Sequence, residues 1–136
     1  ASSTSRFPST PLPVGVLQVL VLDNDPAMRD LLALAIQHQE MNPRLAGSVT
    51  EAEQELAKGD LDMMVLDLNL GGGHTGVSLA LDWQKRGCLI PFVIVTGTPK
   101  HESLAELNGL NQYFGLLPKP FPIVDLLASL REMAPS

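Results

Sequence analysis

From Val16 onward, short apolar runs alternate with longer segments whose apolar residues recur at helical spacing. The runs are short enough to be strands buried on both faces, and each is bounded by polar or turn-forming residues. Strands that alternate with helices are typical of a parallel sheet joined by right-handed crossovers and covered by helices on both sides. The pattern therefore predicts an α/β fold, with one domain of ordinary size over residues 16–136.

Five strands and five helices are predicted along this domain. The strands cover Leu17–Leu22, a short segment near Arg44–Gly47, Met63–Leu66, Pro91–Val95 and Phe114–Leu117. The helices begin at Asp25–Pro26, at a capping-box pattern formed by Thr50 and Glu53, after the glycine-rich loop Gly71–Gly76, at Pro99 and after Pro120. The second, third and fourth helices are predicted to end near Lys58, Arg86 and Leu107.

Composition and charge exclude several classes of function. Hydrophobic residues make up 45% of the 136 residues, which is enough for a packed core. The formal net charge of −6 argues against direct binding of nucleic acid. The sequence has no polybasic cluster and no apolar run near the ~20 residues of a membrane span, so membrane association is not expected.

Two further features bear on location and domain organisation. The single cysteine, Cys88, excludes an internal disulfide and suits a reducing cytoplasm. Residues 1–15 are rich in Ser, Thr and Pro and are predicted to be a flexible tail or linker. Because Ser136 follows the last predicted helix closely, we expect the domain either to act alone by docking to partners or to be one domain of a larger protein.

Polar residues follow four of the predicted strands at their carboxyl ends, where ligands bind in open parallel sheets. They are Asp23, Asn24 and Asp25 after the first strand, Asp67 after the third, Thr96 after the fourth and Lys119 after the fifth. Clustered carboxylates repel each other, and a hard divalent cation such as Mg²⁺ relieves that repulsion. A carboxylate nucleophile, a hydroxyl and an ammonium group are the parts that phosphoryl transfer requires. The sequence therefore predicts one phosphoryl-transfer site at this edge of the sheet.

Each of these residues also has an ordinary structural interpretation. Asp25 is expected to cap the first helix, Thr96 has the character of a turn residue, and a single Lys119 is most often a solvated charge. Asp67 is harder to explain in this way, because a carboxylate that directly follows a buried strand must be exposed or partnered. Their order along the chain, each at the end of a strand, favours a functional site.

Four segments resemble the signature segments of bacterial response-regulator receiver domains. They are VLVLDNDPAMRDLL, MMVLDLNL, FVIVTGT and LLPKPF. The resemblance covers nearly all of Leu17 to Met133 and implies a flavodoxin-like fold with the strand order 2-1-3-4-5. It implies a signalling domain, not an enzyme, which acts in the cytoplasm on a downstream protein target as a monomer or weak homodimer.

The resemblance also implies a role for each residue at the strand ends. Asp67 is the expected phosphoacceptor, loaded by a sensor histidine kinase in a reaction that depends on Mg²⁺ or Mn²⁺. The expected metal ligands are Asp23, Asn24, Asp67 and the backbone carbonyl of Asn69. Thr96 and Lys119 are expected to contact the phosphoryl group, and the Lys119–Pro120 bond resembles one that is cis in the family.

Three positions depart from the family pattern. Asn24 stands where a second acidic metal ligand is usual, so the site loses one full negative charge. Leu116 stands where receiver domains usually carry a switching Tyr or Phe. The loop GGGHTG replaces a more usual proline-containing turn after the phosphoacceptor. His74 in this loop and Asp25 are the candidates for modulating the site, although a solvated loop histidine is the ordinary interpretation of His74.

Other functions are compatible with parts of the pattern. A pseudo-receiver that binds its partner without phosphorylation is supported by Asn24 and Leu116. A phosphatase of the haloacid-dehalogenase type also uses a strand-end Asp, a Thr and a Lys, but Asn69 stands where its second catalytic Asp is required. A flavodoxin-like FMN binder is set aside, because the segment TGTP follows the fourth strand instead of the first and aromatic residues are few.

Overall fold

The computed structural model describes residues 16–70, 74–98 and 100–134. The predicted tail at residues 1–15 lies outside the described residues, as do 71–73 of the glycine-rich loop and Pro99. The strands are β1 (Gln18–Leu22), β2 (Asn42–Ala46), β3 (Met63–Asp67), β4 (Phe92–Thr96) and β5 (Tyr113–Pro118). The helices are α1 (Pro26–His38), α2 (Val49–Ala57), α3 (Gly76–Lys85), a 3₁₀ helix (Glu102–Leu107) and α4 (Ile123–Met133).

The five strands form one sheet in the order β2-β1-β3-β4-β5, and all neighbouring pairs are parallel. This confirms the predicted fold and strand order. The chain moves outward in opposite directions from β1 and from β3, so the topological switch point lies between these two strands. Their register pairs Leu22 with Leu66, which places the next residue of each strand, Asp23 and Asp67, at the same level.

The core consists of two apolar layers, one on each face of the sheet. Leu20 and Leu22 point toward α2, α3 and the 3₁₀ helix, whereas Val19 and Val21 point toward α1 and α4. All five residues of β1, β3 and β4 are buried, because helices cover both faces of these central strands. Full burial of each such aliphatic side chain contributes roughly 1.5–3 kcal/mol, and this packing fixes the positions of the strand ends.

The second strand begins earlier than the sequence predicted. It covers Asn42–Ala46 instead of Arg44–Gly47, and it contains Pro43. Proline lacks a backbone N–H and is confined within sheets to edge strands or strand starts. β2 is an edge strand with β1 as its one neighbour in the sheet, so Pro43 is accommodated there.

Two predicted helices also differ in the structure. α2 begins two residues before the predicted start: Ser48 is the N-cap and accepts a hydrogen bond from the Glu51 amide, so the predicted Thr50 capping box was wrong. The fourth predicted helix is a 3₁₀ helix of six residues anchored by the buried Leu104 and Leu107. The predicted cap of α1 is confirmed, because the Asp25 side chain accepts a hydrogen bond from the Ala27 amide. Among the described residues, no helix is long and apolar enough to cross a membrane.

The cap of α2 leads to a stability prediction. We expect Ser48→Ala to lower the free energy of unfolding by about 1 kcal/mol, because the Glu51 amide loses its partner at the helix start. Thr50→Ala is the matched control: Thr50 is an exposed first-turn residue and alanine has the higher helix propensity, so this change should be neutral or slightly stabilising. Urea denaturation of both variants provides the measurement. A larger loss in Thr50→Ala than in Ser48→Ala would restore the original capping-box assignment.

Candidate functional site

Three charged side chains meet beyond the carboxyl ends of β1, β3 and β5. The Nζ atom of Lys119 lies 3.3 Å from Oδ2 of Asp23 and 3.6 Å from Oδ2 of Asp67. Asp23 has 0% of its surface exposed and Asp67 has 4%, so both carboxylates are removed from bulk water. Lys119 directly follows the edge strand β5 and lies between the two acidic groups, at ion-pair distance from both. One lysine thus faces two buried carboxylates.

The backbone around Asp23 is held by several hydrogen bonds. Its amide donates to the carbonyl of Ala46 in the neighbouring strand, at 3.1 Å. Its carboxylate Oδ1 accepts a hydrogen bond from the Asp25 amide at 2.9 Å. Its carbonyl accepts a hydrogen bond from Nη1 of Arg29 at 2.7 Å, which ties the strand end back to the first turns of α1. The position of the Asp23 carboxylate is therefore fixed by β1, β2 and α1 together.

The loop after β3 is held close to Asp67. The Asn69 amide donates to Oδ1 of Asp67 at 3.2 Å, and Asn69 forms an antiparallel bridge with Thr75. Thr75 then caps α3 by accepting a hydrogen bond from the Ser78 amide. Gly76, the first residue of α3, packs so tightly that a Cβ atom there would lie 2.5 Å from the Asp67 carbonyl oxygen. Glycine therefore allows α3 to start directly beside the acidic group.

The environment of Asp67 favours its protonated form. Burial is the largest effect, and together with the nearby Asp23 charge it raises the pKa of Asp67 from 3.8 to about 6. Lys119 and the Asn69 amide act in the opposite direction and lower this pKa, but they do not cancel the two larger effects. Near neutral pH the carboxylate is thus ionised in a site that holds excess negative charge.

Thr96 ends β4 and is fully buried. Its Oγ1 atom accepts a hydrogen bond from the Thr98 amide at 2.8 Å and lies 2.9 Å from the Thr98 hydroxyl oxygen. Its carbonyl accepts a hydrogen bond from the Lys119 amide at 2.7 Å, so the end of β4 is linked to the loop that carries the lysine. The Lys119–Pro120 peptide bond is cis, as the sequence resemblance implied.

The other predicted site residues lie outside this cluster or contribute differently. Asn24 and Asp25 are exposed, and the Asp25 side chain is used as the cap of α1. His74 is exposed, and its carbonyl accepts a hydrogen bond from the Leu70 amide at 3.4 Å. Leu116 is half-buried and packs against the apolar layer on the α2 and α3 side of the sheet.

Two residues of the site were not identified from the sequence. Arg29 lies inside the apolar pattern of α1, which gives no indication that its guanidinium reaches the end of β1. Thr98 follows Thr96 at the spacing of a turn in which a threonine hydroxyl accepts a hydrogen bond from the amide two residues on. Because that spacing is a known turn pattern, it could have indicated the contact between Thr98 and the Thr96 hydroxyl.

The donor groups of the cluster fit a hard divalent cation. Within the described ranges, Lys119 is the one cation at ion-pair distance from Asp23 and Asp67, so the carboxylates keep a net negative charge. The same ranges contain no group of three or more His, Cys, Asp or Glu side chains that could hold a metal ion. Further ligands would therefore come from backbone or amide oxygens and water. Mg²⁺ is usually bound in this way, by one or two carboxylates with several waters.

Comparison with known proteins identifies the family. The sequence profile described as "Response regulator receiver domain" matches residues 19–131. The chain belongs to this family. Swarming motility regulation protein RssB of Serratia marcescens is 28% identical over 119 residues, which are 86% of this receiver domain chain and 52% of that protein. The chain thus spans about half the length of this relative and about a quarter of two further ones.

Solved structures of other receiver domains share the fold. A CheY-like receiver domain protein of Methanospirillum hungatei JF-1 has a TM-score of 0.77 at 19% identity, covering 86% of this chain and 92% of that chain. The response regulator TrrA of Thermotoga maritima, solved in complex with Mg²⁺-BeF, has a TM-score of 0.73 at 20% identity, covering 87% and 99%. These similarities establish the architecture of this receiver domain.

The raised pKa of Asp67 predicts a pH-dependent stability. Between pH 3.8 and about 6 the folded state binds more protons at Asp67 than the unfolded state does. The resulting stabilisation is complete below the unfolded pKa and is lost as the pH rises through the folded pKa. In EDTA at pH 7.5, we expect the free energy of unfolding of Asp67→Asn to exceed that of the parent chain by on the order of 1 kcal/mol, so that the variant unfolds at a higher temperature. The difference should disappear near pH 4.

Asp30→Asn is the matched control, because Asp30 is an exposed carboxylate on α1. Its effect should be less than half as large at pH 7.5. Thermal unfolding at both pH values provides the measurement. If Asp67→Asn were less stable than the parent at pH 7.5, the carboxylate would be a net stabilising group and the electrostatic description of the site would be wrong.

Proposed function

We propose that Asp67 accepts a phosphoryl group from a sensor histidine kinase, and that the phosphorylated domain signals to a downstream protein partner. The observation that carries this proposal is the buried Asp67 carboxylate, which faces the Lys119 ammonium at 3.6 Å at the switch point of the sheet. Asp67 ends β3, Thr96 ends the neighbouring β4 and Lys119 follows β5, so a nucleophile, a hydroxyl and a cationic group are carried by three adjacent strand ends. Membership of a family of signalling domains supports the same conclusion.

The transfer can be written with the residues in place. One carboxylate oxygen of Asp67 attacks the phosphorus of a phosphohistidine, so that a P–O bond forms and the P–N bond breaks. The histidine nitrogen leaves with the bonding electron pair and is protonated. Lys119 would stabilise the negative charge that gathers on the phosphoryl oxygens, and the hydroxyl of Thr96 would turn from Thr98 to donate a hydrogen bond to one of them.

A divalent cation, Mg²⁺ or Mn²⁺, completes the proposed site. Asp23 and Asp67 would hold it with the Asn69 carbonyl and the Asn24 amide, and the ion supplies positive charge to the transferring phosphoryl group. The neighbour from Thermotoga maritima binds Mg²⁺-BeF, which supports this assignment. His74 and Asp25 are proposed to modulate the site from its rim, where both are exposed.

The proposal extends to the organisation and setting of the chain. Residues 16–136 would act as the receiver domain, with residues 1–15 as a tail or linker, in the cytoplasm. A protein target is expected in preference to nucleic acid, because the chain is acidic with a formal net charge of −6. The domain is proposed to act as a monomer or weak homodimer.

A second function, binding without phosphorylation, is supported by two positions. Asn24 supplies one charge less than an acidic residue, and Leu116 lacks the ring and hydroxyl that could move between buried and exposed positions. The dehalogenase-type phosphatase is disfavoured by Asn69, which offers its amide and not a second carboxylate beside Asp67. Slow loss of the phosphoryl group to water is the most turnover that we expect.

Phosphorylation tests the proposal directly. Incubation with acetyl phosphate and Mg²⁺ should add one phosphoryl group, measured as a mass increase of the intact protein and located at Asp67 by peptide mapping. Asp67→Asn should remain folded and unlabelled, whereas Asp30→Asn, which removes an exposed carboxylate on α1, should be labelled normally. Labelling of Asp67→Asn at the parental level would exclude Asp67 as the acceptor. A folded parent chain that is not labelled would favour the pseudo-receiver.

The missing charge at Asn24 predicts weak metal binding. Asn24→Asp should bind Mg²⁺ more tightly than the parent chain, by on the order of 1 kcal/mol after screening. Calorimetry is the suitable measurement, because Trp83 lies buried in α3 and donates its indole N–H to Glu53, away from the site. Asn111→Asp adds the same negative charge at an exposed position before β5 and controls for a general change in net charge. Equal affinities of the parent chain and Asn24→Asp would mean that the residue after Asp23 does not contribute to the metal site.

A further inference from the structure

The Thr96 hydroxyl is already engaged by the residue two positions further along the chain. Its Oγ1 accepts a hydrogen bond from the Thr98 amide at 2.8 Å, and the two hydroxyl oxygens lie 2.9 Å apart. Thr96 is fully buried, whereas Thr98 is exposed. Among the described residues, Thr98 is the one hydrogen-bond partner of the Thr96 hydroxyl. The Thr96 hydroxyl, which is expected to contact the phosphoryl oxygen, is therefore hydrogen-bonded to Thr98 in the unphosphorylated domain.

The hydrogen-bond inventory of a hydroxyl limits what Thr96 can do from this position. A hydroxyl has one hydrogen to donate and two lone pairs that accept. The Thr98 amide takes one lone pair, and the Thr98 hydroxyl takes either the hydrogen or the second lone pair. A phosphoryl oxygen only accepts, so Thr96 must direct its hydrogen toward Asp67 to bind it. If Thr96 turns toward the phosphoryl group, it must lose or rearrange its hydrogen bonds to Thr98.

We infer that Thr98 is a positioning residue that holds the Thr96 hydroxyl in the unphosphorylated arrangement. The inference rests on the proposed function, since it concerns how Thr96 reaches a phosphoryl group on Asp67. The Thr98 side chain adds a hydroxyl contact to the turn hydrogen bond made by its amide. Removing that contact leaves the hydrogen bond from the Thr98 amide in place but lowers the free energy needed to turn the Thr96 side chain. Thr98 therefore sets the balance between the two arrangements.

Leu116 makes this restraint more important in this chain. It occupies the position at which a switching aromatic residue is usual, and it packs into the apolar layer beside β4. A leucine has no hydroxyl that could be held outward in water, so it offers no polar partner in either arrangement. The Thr96–Thr98 pair then provides a polar contact near the site that can change when Thr96 turns. The 3₁₀ helix at Glu102–Leu107 follows it closely along the chain.

Beryllofluoride, a phosphoryl mimic, tests the inference in the presence of Mg²⁺. Thr98→Val keeps the branched shape and the amide but removes the hydroxyl, and we expect it to bind the mimic about two- to tenfold more tightly than the parent. Thr98→Ser restores a hydroxyl and should return the affinity to within about twofold of the parent. In a Thr96→Ala background, Thr98→Val should have no effect, because the hydroxyl that it positions is absent.

The outcomes separate this inference from the proposed function. If the parent chain binds the mimic and Thr98→Val binds it equally or more weakly, Thr98 does not restrain Thr96 and the inference is overturned alone. If Thr98→Val has the same effect with and without the Thr96 hydroxyl, its effect is structural and the inference is also overturned. A folded parent chain that neither binds the mimic nor is phosphorylated overturns both the inference and the proposed function.

Discussion

The proximity of two buried carboxylates is the constraint on which the rest of the site depends. The register of β1 and β3 places Asp23 and Asp67 side by side, where they share the ammonium of Lys119. Burial and mutual repulsion both oppose ionisation, which is why the pKa of Asp67 is raised to about 6. The site thus holds an excess of negative charge that a divalent cation would relieve. The repulsion that raises the pKa of Asp67 would also favour a bound divalent cation.

The apolar sheet makes such an arrangement possible. Its three central strands, β1, β3 and β4, are buried along their whole length, and this packing fixes the positions of their carboxyl ends. Hydrogen bonds then orient the charged groups, with the Asp25 amide and Arg29 at Asp23 and the Asn69 amide at Asp67. Packing supplies the free energy, and the backbone amides supply the geometry. The destabilising pair persists because the surrounding structure fixes both members.

Two departures from the family pattern bear on separate parts of the proposed function. Asn24 is exposed and would supply one negative charge less to a metal ion than an acidic residue. Leu116 packs against the apolar layer and has no hydroxyl that could respond to the proposed movement of Thr96. The fourth crossover contains a 3₁₀ helix of six residues, which is anchored by two buried leucines. We therefore expect weak binding of a metal ion and a conformational change confined to the neighbourhood of the site, with Thr98 restraining the movement of Thr96.

The sequence by itself determined the fold and the composition of the site. Apolar runs that alternate with helical patterns predicted the parallel sheet. The polar positions at the ends of the predicted strands indicated Asp23, Asp67, Thr96 and Lys119, because the carboxyl ends of parallel strands meet at one edge of the sheet. The tertiary structure alone decided the contacts that depend on distance between segments. Arg29 reaches the Asp23 carbonyl, Pro43 is accommodated because β2 is an edge strand, and the pKa of Asp67 depends on burial. Local patterns encode helices and strands, but these properties arise only when separate segments pack together.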